Sequence, residues 1–286
     1  MLSTILDGFS LGAIYALIAL GYTMVYGIAK MLNFAHGDII MVGAYAILVT
    51  INANGHPLLG VVAAVVVCTV VGIVIEKVAY KPLRGASPLA VLITAIGVSY
   101  LLQSIAQLIF KSKSQAVTIS ETHMVNVGSA ELNLNTILTL VVGAVIMVAL
   151  TLFVKYTKTG RAMQAVSEDR GAAQLMGVNV NKIIMITFAI GSALAACAGV
   201  FYLMQIPSVS PTLGSMPGIK AFAAAVIGGS IPGAMLGGVI LGVVEKLALS
   251  VPVLAPYATA IEFALLIVIL LVRPIGILGK KRREKV

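Results

Sequence analysis

Asn33, His36 and Asp38 are polar residues that stand within six positions of each other, between two long apolar runs. Polar groups at membrane depth are energetically costly, and they often mark the path of a transported substrate. The same residues could instead cap or break the second apolar helix at the membrane interface, because Gly37 and Asp38 make a favourable helix start. Both interpretations stay open: a transport path and a helix boundary.

Two further groups of polar residues lie inside apolar runs. Gln103 and Gln107 are four positions apart, so they share one face of a helix, where they could line a polar path or bond a neighbouring helix. We predict the interhelical bond. Glu245, Lys246 and Glu262 lie near helix ends, and we expect them to snorkel to the interface or to pair with one another.

The residue types needed for catalysis do not come together in this sequence. The dipeptide Gly279-Lys280 is followed by Lys281, and Pro274 stands where a phosphate-binding loop requires Gly, so no ATP-binding motif is visible. The chain has three histidines, on separate segments and without metal-ligand spacing: His36, His56 and His123. We therefore predict no catalytic residue, no metal and no cofactor bound by this chain.

The composition is that of an integral membrane protein. Of the 286 residues, 60% are hydrophobic and only 10% are charged, whereas soluble domains are about 25% charged. Apolar runs near 20 residues recur along the chain, and backbone groups in lipid must be satisfied internally. We predict one all-α, polytopic domain over 1–286, a bundle of eight or nine transmembrane helices. The candidate helices are at roughly 8–29, 38–53, 58–76, 88–110, 135–156, 183–205, 217–229, 233–250 and 257–273. The uncertain segment is 217–229, which is either a short tilted helix or one arm of a re-entrant hairpin.

The net charge of +9 is concentrated at the ends of apolar runs, which argues against nucleic acid as a partner. Three clusters hold fourteen of the nineteen basic residues, within 77–84, 155–182 and 273–285. The positive-inside rule places these clusters in the cytoplasm. Successive loops alternate between the two sides of the membrane, because each helix crosses it once. This parity puts the N-terminus and the loop 111–134 outside, and the loop 157–182 and the basic tail 274–286 inside.

The loop 157–182 contains a predicted short helix at about 168–176. Ser167 can cap the free N–H groups of its first turn, Glu168 and Asp169 suit the positive end of the helix dipole, and Gly177 is a natural stop. Ala172, Ala173, Leu175 and Met176 supply an apolar face suited to a cleft on a cytosolic partner. The alternative is a solvated loop that only obeys the positive-inside rule.

Several motifs in order resemble the LivH-type permeases of high-affinity branched-chain amino acid ABC transporters. They are L-N-F-A-H-G-D at 32–38, T-A-I-G-V-S at 94–99, T-G-R-A-M-Q-A-V-S-E-D-R-G-A-A-Q-L-M-G-V at 159–178, I-K-A-F-A-A-A-V-I-G-G at 219–229, G-A-M-L-G-G-V-I-L-G at 233–242 and R-P-I-G-I-L-G at 273–279. The segment 171–177 also resembles the EAA-type loop of ABC importer permeases, with Gly171 where those loops usually have Glu.

The resemblance implies a multi-pass subunit of a bacterial inner membrane that imports Leu, Ile or Val. Its implied partners are a second homologous permease, two cytoplasmic ATPases that use ATP, an extracytoplasmic amino-acid-binding protein and membrane lipid. The segment 168–176 would then be a coupling helix in a groove of one ATPase. The residues implied in coupling are Arg161, Ser167, Glu168, Asp169, Arg170, Ala172, Ala173, Leu175, Met176 and Gly177. Import of urea or short amides, a secondary transporter or channel, and a scaffold subunit are the alternatives.

Overall fold

The computed structural model describes residues 2–119, 123–127 and 130–279. Part of the predicted basic tail, from 280 onward, therefore lies outside the described residues. The helices are α1 (Leu2–Ala29), α2 (His36–Asn52), α3 (Pro57–Ile75, extended by a π-helical turn Glu76–Tyr80), α4 (Pro88–Phe110), α5 (Leu134–Tyr156), α6 (Lys158–Glu168), α7 (Arg170–Leu175), α8 (Val180–Gln205), α9 (Ser215–Gly228), α10 (Ile231–Ser250) and α11 (Ala258–Val272). The short strands are β1 (Gln115–Ala116), β2 (Met124–Val127), β3 (Ala130–Asn133) and β4 (Ser208–Val209).

The predicted all-α membrane bundle is confirmed. Over the described residues, seven helices are long and apolar enough to cross a membrane, and α2 and α9 are shorter apolar helices. All nine predicted apolar helices occur, and their boundaries follow local signals. Ser87, for example, caps α4 by accepting a hydrogen bond from the N–H of Ala90, and Pro88 occupies the first turn.

The helix α1 is the centre of the bundle. Its residues Ile14, Leu17 and Ile18 are fully buried, and the helix packs against α5, α8, α9 and α10. The outer helices α3, α4, α5 and α11 instead present apolar side chains such as Leu108 and Leu271 outward. An outer surface of apolar side chains suits a bundle surrounded by lipid rather than by water.

Glycines on α10 allow it to lie directly against α1. A Cβ atom on Gly242 would lie 2.1 Å from the backbone nitrogen of Gly12, and one on Gly238 would lie 2.4 Å from that of Ala16. No side chain fits at such separations, so the two backbones are in contact. The four-residue spacing of these glycines therefore serves packing within the chain.

Several contacts near two ends of the bundle agree with the predicted parity. At one end β1 pairs with β4, and Thr136 donates a hydrogen bond to Asp7 (3.0 Å). At the other end Arg84 donates to Asn181, and Arg170 donates to the carbonyl oxygen of Ala29. Segments predicted to lie on the same side of the membrane thus meet. Which end faces the cytoplasm stays a prediction.

The turn between α9 and α10 lies beside the segment that follows α11. The N–H groups of Ile277 and Leu278 donate to the carbonyl oxygens of Ile227 (2.8 Å) and Gly228 (3.2 Å). Gly229 makes the turn with φ of 67°, which favours glycine. Since α9 has 14 residues, it rises only about 21 Å. It is therefore a short helix, and its last turn lies beside the segment that follows α11.

Candidate translocation and coupling sites

The helix α6 is a surface helix that the sequence-based prediction missed. Thr157 caps it by accepting a hydrogen bond from the N–H of Gly160 (2.9 Å), and Met163 and Val166 are buried on one side. A Cβ atom on Gly160 would lie 2.4 Å from the carbonyl oxygen of Phe153, so this end of α6 rests on the end of α5. The sequence did contain a signal for this helix: Thr157 is a good cap, and the apolar residues Met163 and Val166 follow three positions apart.

The helix α7 corresponds to the predicted coupling helix, but it is shorter and has a different cap. The predicted range was 168–176, with Ser167 as the cap, and this start is wrong. Ser167 lies in the last turn of α6 and donates to the carbonyl oxygen of Gln164 (2.7 Å), and Glu168 ends that helix. Asp169 is the actual cap and accepts from the N–H of Ala172 (3.0 Å). The predicted stop is confirmed, because Gly177 follows with φ of 81°.

Two large apolar side chains project outward at the end of α7. Ala173 is buried against the bundle, whereas Leu175 is 90% exposed and Met176 84% exposed. Arg161 on α6 and Ala172 on α7 are exposed as well. Neighbouring large apolar side chains held this far out on a capped turn are typical of a surface that a partner protein covers.

Arg170 connects α7 to the central helix. Its Nη2 atom donates to the carbonyl oxygens of Ala29 and Ile28 at the end of α1. These carbonyls belong to the last turn of α1, where backbone acceptors have no partner within the helix. After Lys30, which has φ of 54°, a short loop leads directly into α2. Movement of α7 would therefore act on the α1–α2 connection.

The structure brings two of the predicted path residues together at a cavity of about 230 Å³. The Nε2 atom of Gln103 donates to Oδ1 of Asp38 (2.9 Å) and lies 3.3 Å from the hydroxyl oxygens of Ser99 and Ser215. Asp38 is buried, and none of the ion pairs among the described residues includes it. The predicted interhelical bond of Gln103 is confirmed. Asp38 makes this tertiary contact rather than acting as a helix cap.

The start of α9 forms one wall of this cavity. Gly214, Ser215 and Gly218 line it, and Gly214 gives the helix no side-chain cap. The positive end of the α9 dipole therefore faces the cavity. The other lining side chains are mostly apolar or aromatic: Tyr22, Phe34, Ile96, Tyr100 and Ile219.

The remaining predicted path residues lie away from this cavity. The side chain of Asn33 accepts a hydrogen bond from Tyr80 (2.9 Å). His36 is buried with its ring 4.6 Å from that of Tyr22, and its Nε2 atom has no hydrogen-bond partner within the described part of the chain. Gln107 is exposed one turn beyond Gln103 on α4. His36 thus packs behind Tyr22, which lines the cavity, whereas Asn33 bonds the π-helical turn that extends α3.

A charge cluster that the sequence did not reveal ties four helices together. The Nζ atom of Lys220 on α9 lies 2.7 Å from Oε1 of Glu245 on α10 and 3.1 Å from Oε2 of Glu262 on α11. Tyr15 of α1 donates to Glu245 (2.7 Å). Glu245 and Glu262 therefore lie in one cluster and do not snorkel to the interface, because Lys220 is the cation between the two carboxylates. The expectation for Lys246 stays a prediction.

A bundle of apolar membrane helices, with a small cavity that contains a buried carboxylate and a capped turn that projects from one end, is the architecture of a membrane permease subunit. The comparisons with known proteins give its family. The family described as branched-chain amino acid transport system, permease component, matches residues 4–270. The chain belongs to this family, and it is a multi-pass protein of the cell membrane.

Relatives align along the whole chain. The high-affinity branched-chain amino acid transport system permease protein LivH of Salmonella typhimurium is 43% identical over 301 aligned residues, covering 100% of this chain and 97% of the relative. BraD of Pseudomonas aeruginosa is also 43% identical, over 100% of this chain and 98% of its own. The probable LivH of Methanocaldococcus jannaschii is 32% identical over 92% of this chain and 88% of its own.

Proposed function

We propose that this chain is the membrane-spanning permease subunit of an ABC importer that carries branched-chain amino acids into the cell. Its partners are a second homologous permease, two cytoplasmic ATPase subunits that hydrolyse ATP, and an extracytoplasmic amino-acid-binding protein. The observation that carries the proposal is the cavity in which the Asp38 carboxylate, which forms no ion pair within the described residues, faces the positive end of α9.

The cavity offers complementary groups for each part of an amino acid zwitterion. The Asp38 carboxylate suits the α-ammonium group, since a charged hydrogen bond contributes about 1.5–3 kcal/mol. The start of α9 and the Ser215 hydroxyl suit the carboxylate. Phe34, Ile96 and Ile219 suit a branched apolar side chain. Urea and short amides carry no positive charge to satisfy Asp38, which favours the amino acid over these alternatives.

We infer that the second permease packs on the open side of the cavity. Ile96, Tyr100 and Ile219 line the cavity and are also exposed on the surface of the chain. Another subunit of the same fold on this face would enclose the substrate between the two chains. Each permease would then supply half of the translocation path.

The work of the ATPases would enter through α7. Leu175 and Met176 would sit in a groove of one ATPase, and closure of the ATPases would move α7 as a rigid element. Arg170 would transmit that movement to the end of α1 and so to the start of α2, which carries Asp38. This connection gives a physical route from ATP hydrolysis to the cavity.

Deletion of the gene for this chain in its host tests the proposed function. We expect uptake of labelled leucine, isoleucine and valine at low micromolar concentration to be lost and to return with the wild-type gene. Uptake of labelled urea and acetamide should not change. Loss of urea or acetamide uptake with normal leucine uptake would contradict the proposed substrate.

Asp38→Asn is expected to weaken substrate recognition. The amide keeps the shape and an acceptor for Gln103 but loses the negative charge, so we expect the KM for leucine uptake to rise about 10- to 100-fold. Asp7→Asn is the matched control, because Asp7 bonds Thr136 away from the cavity. An unchanged KM in Asp38→Asn would remove Asp38 from the site.

Arg170→Gln is expected to separate ATP hydrolysis from transport. The variant should still copurify with the ATPases, since Leu175 and Met176 are intact, but leucine transported per ATP hydrolysed should fall about tenfold or more because charge-assisted bonds to α1 are lost. Lys155→Gln, an exposed position at the end of α5, is the control. A wild-type ratio of transport to hydrolysis in Arg170→Gln would contradict the proposed route.

A further inference from the structure

A second cavity, of about 340 Å³, lies between the end of α1, the α3–α4 loop and the start of α7. Its lining contains three basic residues, Lys30, Arg84 and Arg170. The rest of the lining is mostly apolar: Tyr26, Ala29, Met31, Leu32, Leu83, Ala86, Pro88 and Val91. Apart from Arg170, the residues of this amphipathic cleft have no role in the proposed transport mechanism.

Two guanidinium groups lie close together in the cleft. Arg84 pairs with Glu76, and the Arg170 guanidinium is near enough to that of Arg84 for the two to repel each other. The Nε atom of Arg84 is buried and has no hydrogen-bond partner within the described residues. Burial lowers the pKa of Arg170, and the nearby Arg84 guanidinium lowers it further. An anion between the two guanidiniums would relieve this repulsion and use the remaining N–H donors.

The cleft also lies where the chain enters the membrane. Pro88 begins a helix that is long and apolar enough to span it. Outside the cleft the surface continues as apolar side chains, with Leu89 63% exposed and Ile93 61% exposed on α4. A ligand with a charged head and an apolar tail fits both parts, whereas an acidic side chain of a soluble partner would use only the basic part.

We propose that this cleft binds an anionic phospholipid, with its phosphate between Arg84 and Arg170 and its acyl chains along α4. Basic pockets between membrane helices are suited to such headgroups. Because Arg170 also begins α7, the bound lipid joins the coupling helix to the α3–α4 loop. The site is independent of which amino acid is transported.

Native mass spectrometry of the full chain in detergent tests this proposal. We expect added phosphatidylglycerol to stay bound through mild activation, and phosphatidylcholine at the same concentration to be lost. Inorganic phosphate alone should not compete at equal concentration, because it lacks the acyl chains. Equal retention of the two lipids, or full displacement by inorganic phosphate, would overturn the proposal.

Ala86 lines the cleft and is exposed, so Ala86→Glu and Ala86→Gln are a matched pair of variants there. Both side chains have the same size, and both leave the Arg84–Glu76 ion pair in place. We expect the Glu variant to lose phosphatidylglycerol affinity about tenfold and the Gln variant to keep it. Equal affinities would overturn the proposal. So would loss of the lipid on addition of the ATPase subunits, which would show that a protein carboxylate occupies the cleft.

Discussion

Replacing both Leu175 and Met176 by Asp is expected to release the ATPase subunits from this chain and to abolish ATP-driven leucine uptake. These side chains are 90% and 84% exposed on a turn fixed by the Asp169 cap and by Gly177. Apolar anchors of this kind each contribute about 2 kcal/mol or more to a protein interface, which is roughly 30-fold in affinity. A buried carboxylate adds a desolvation penalty. Copurification of the ATPases from membranes measures the effect.

The control for this variant adds the same two charges to the neighbouring helix. Gln164 and Ala165 are adjacent exposed residues of α6, and replacing both by Asp leaves the apolar face of α7 intact. We expect this control to keep its ATPases and to retain most of its leucine uptake. An α7 variant that still copurified with the ATPases and transported leucine would refute the coupling role.

Lys220→Met is expected to give the largest loss of stability. Two carboxylates, Glu245 and Glu262, would remain close together in the bundle without their shared cation. Breaking a buried ion pair from one side destabilises a protein by about 3–5 kcal/mol. We expect most of the variant to be lost to aggregation or degradation, measured as the yield of monodisperse protein and its unfolding temperature.

Two further variants test whether the loss of stability comes from the unpaired carboxylates rather than from the loss of a lysine side chain. Lys246→Met removes a neighbouring cation that is outside the cluster and should leave the yield unchanged. The triple variant Lys220→Met, Glu245→Gln, Glu262→Gln removes all three charges and should recover much of the stability. The interpretation of the cluster fails if Lys220→Met is as stable as Lys246→Met.

Apolar runs and local signals were enough to predict the helices of the bundle. The α4 boundaries at Pro88 and Phe110 agree with the predicted 88–110, because a Ser–Pro start and a long apolar run leave few alternatives. The predicted start of α7 was wrong for a physical reason. Ser167 and Asp169 are both good caps two residues apart, and packing of Met163 and Val166 extends α6 through Ser167.

Contacts between distant segments could not be predicted in the same way. Asp38 and Gln103 were each recognised as candidates, but their bond joins residues 65 positions apart, and periodicity cannot pair them. Lys220 was overlooked as a single charge in an apolar run. A buried lysine requires an acidic partner, so Glu245 and Glu262 could have suggested it, but the choice among acidic residues depends on the three-dimensional packing.

Leucine uptake into proteoliposomes tests the central claim most directly. The vesicles would contain this chain, the second permease and the ATPases, with the binding protein outside and ATP enclosed. We predict accumulation of leucine that requires both ATP and the binding protein and that disappears with the Leu175→Asp, Met176→Asp variant. Accumulation driven by a sodium or proton gradient without ATP would contradict the assignment as an ABC importer permease.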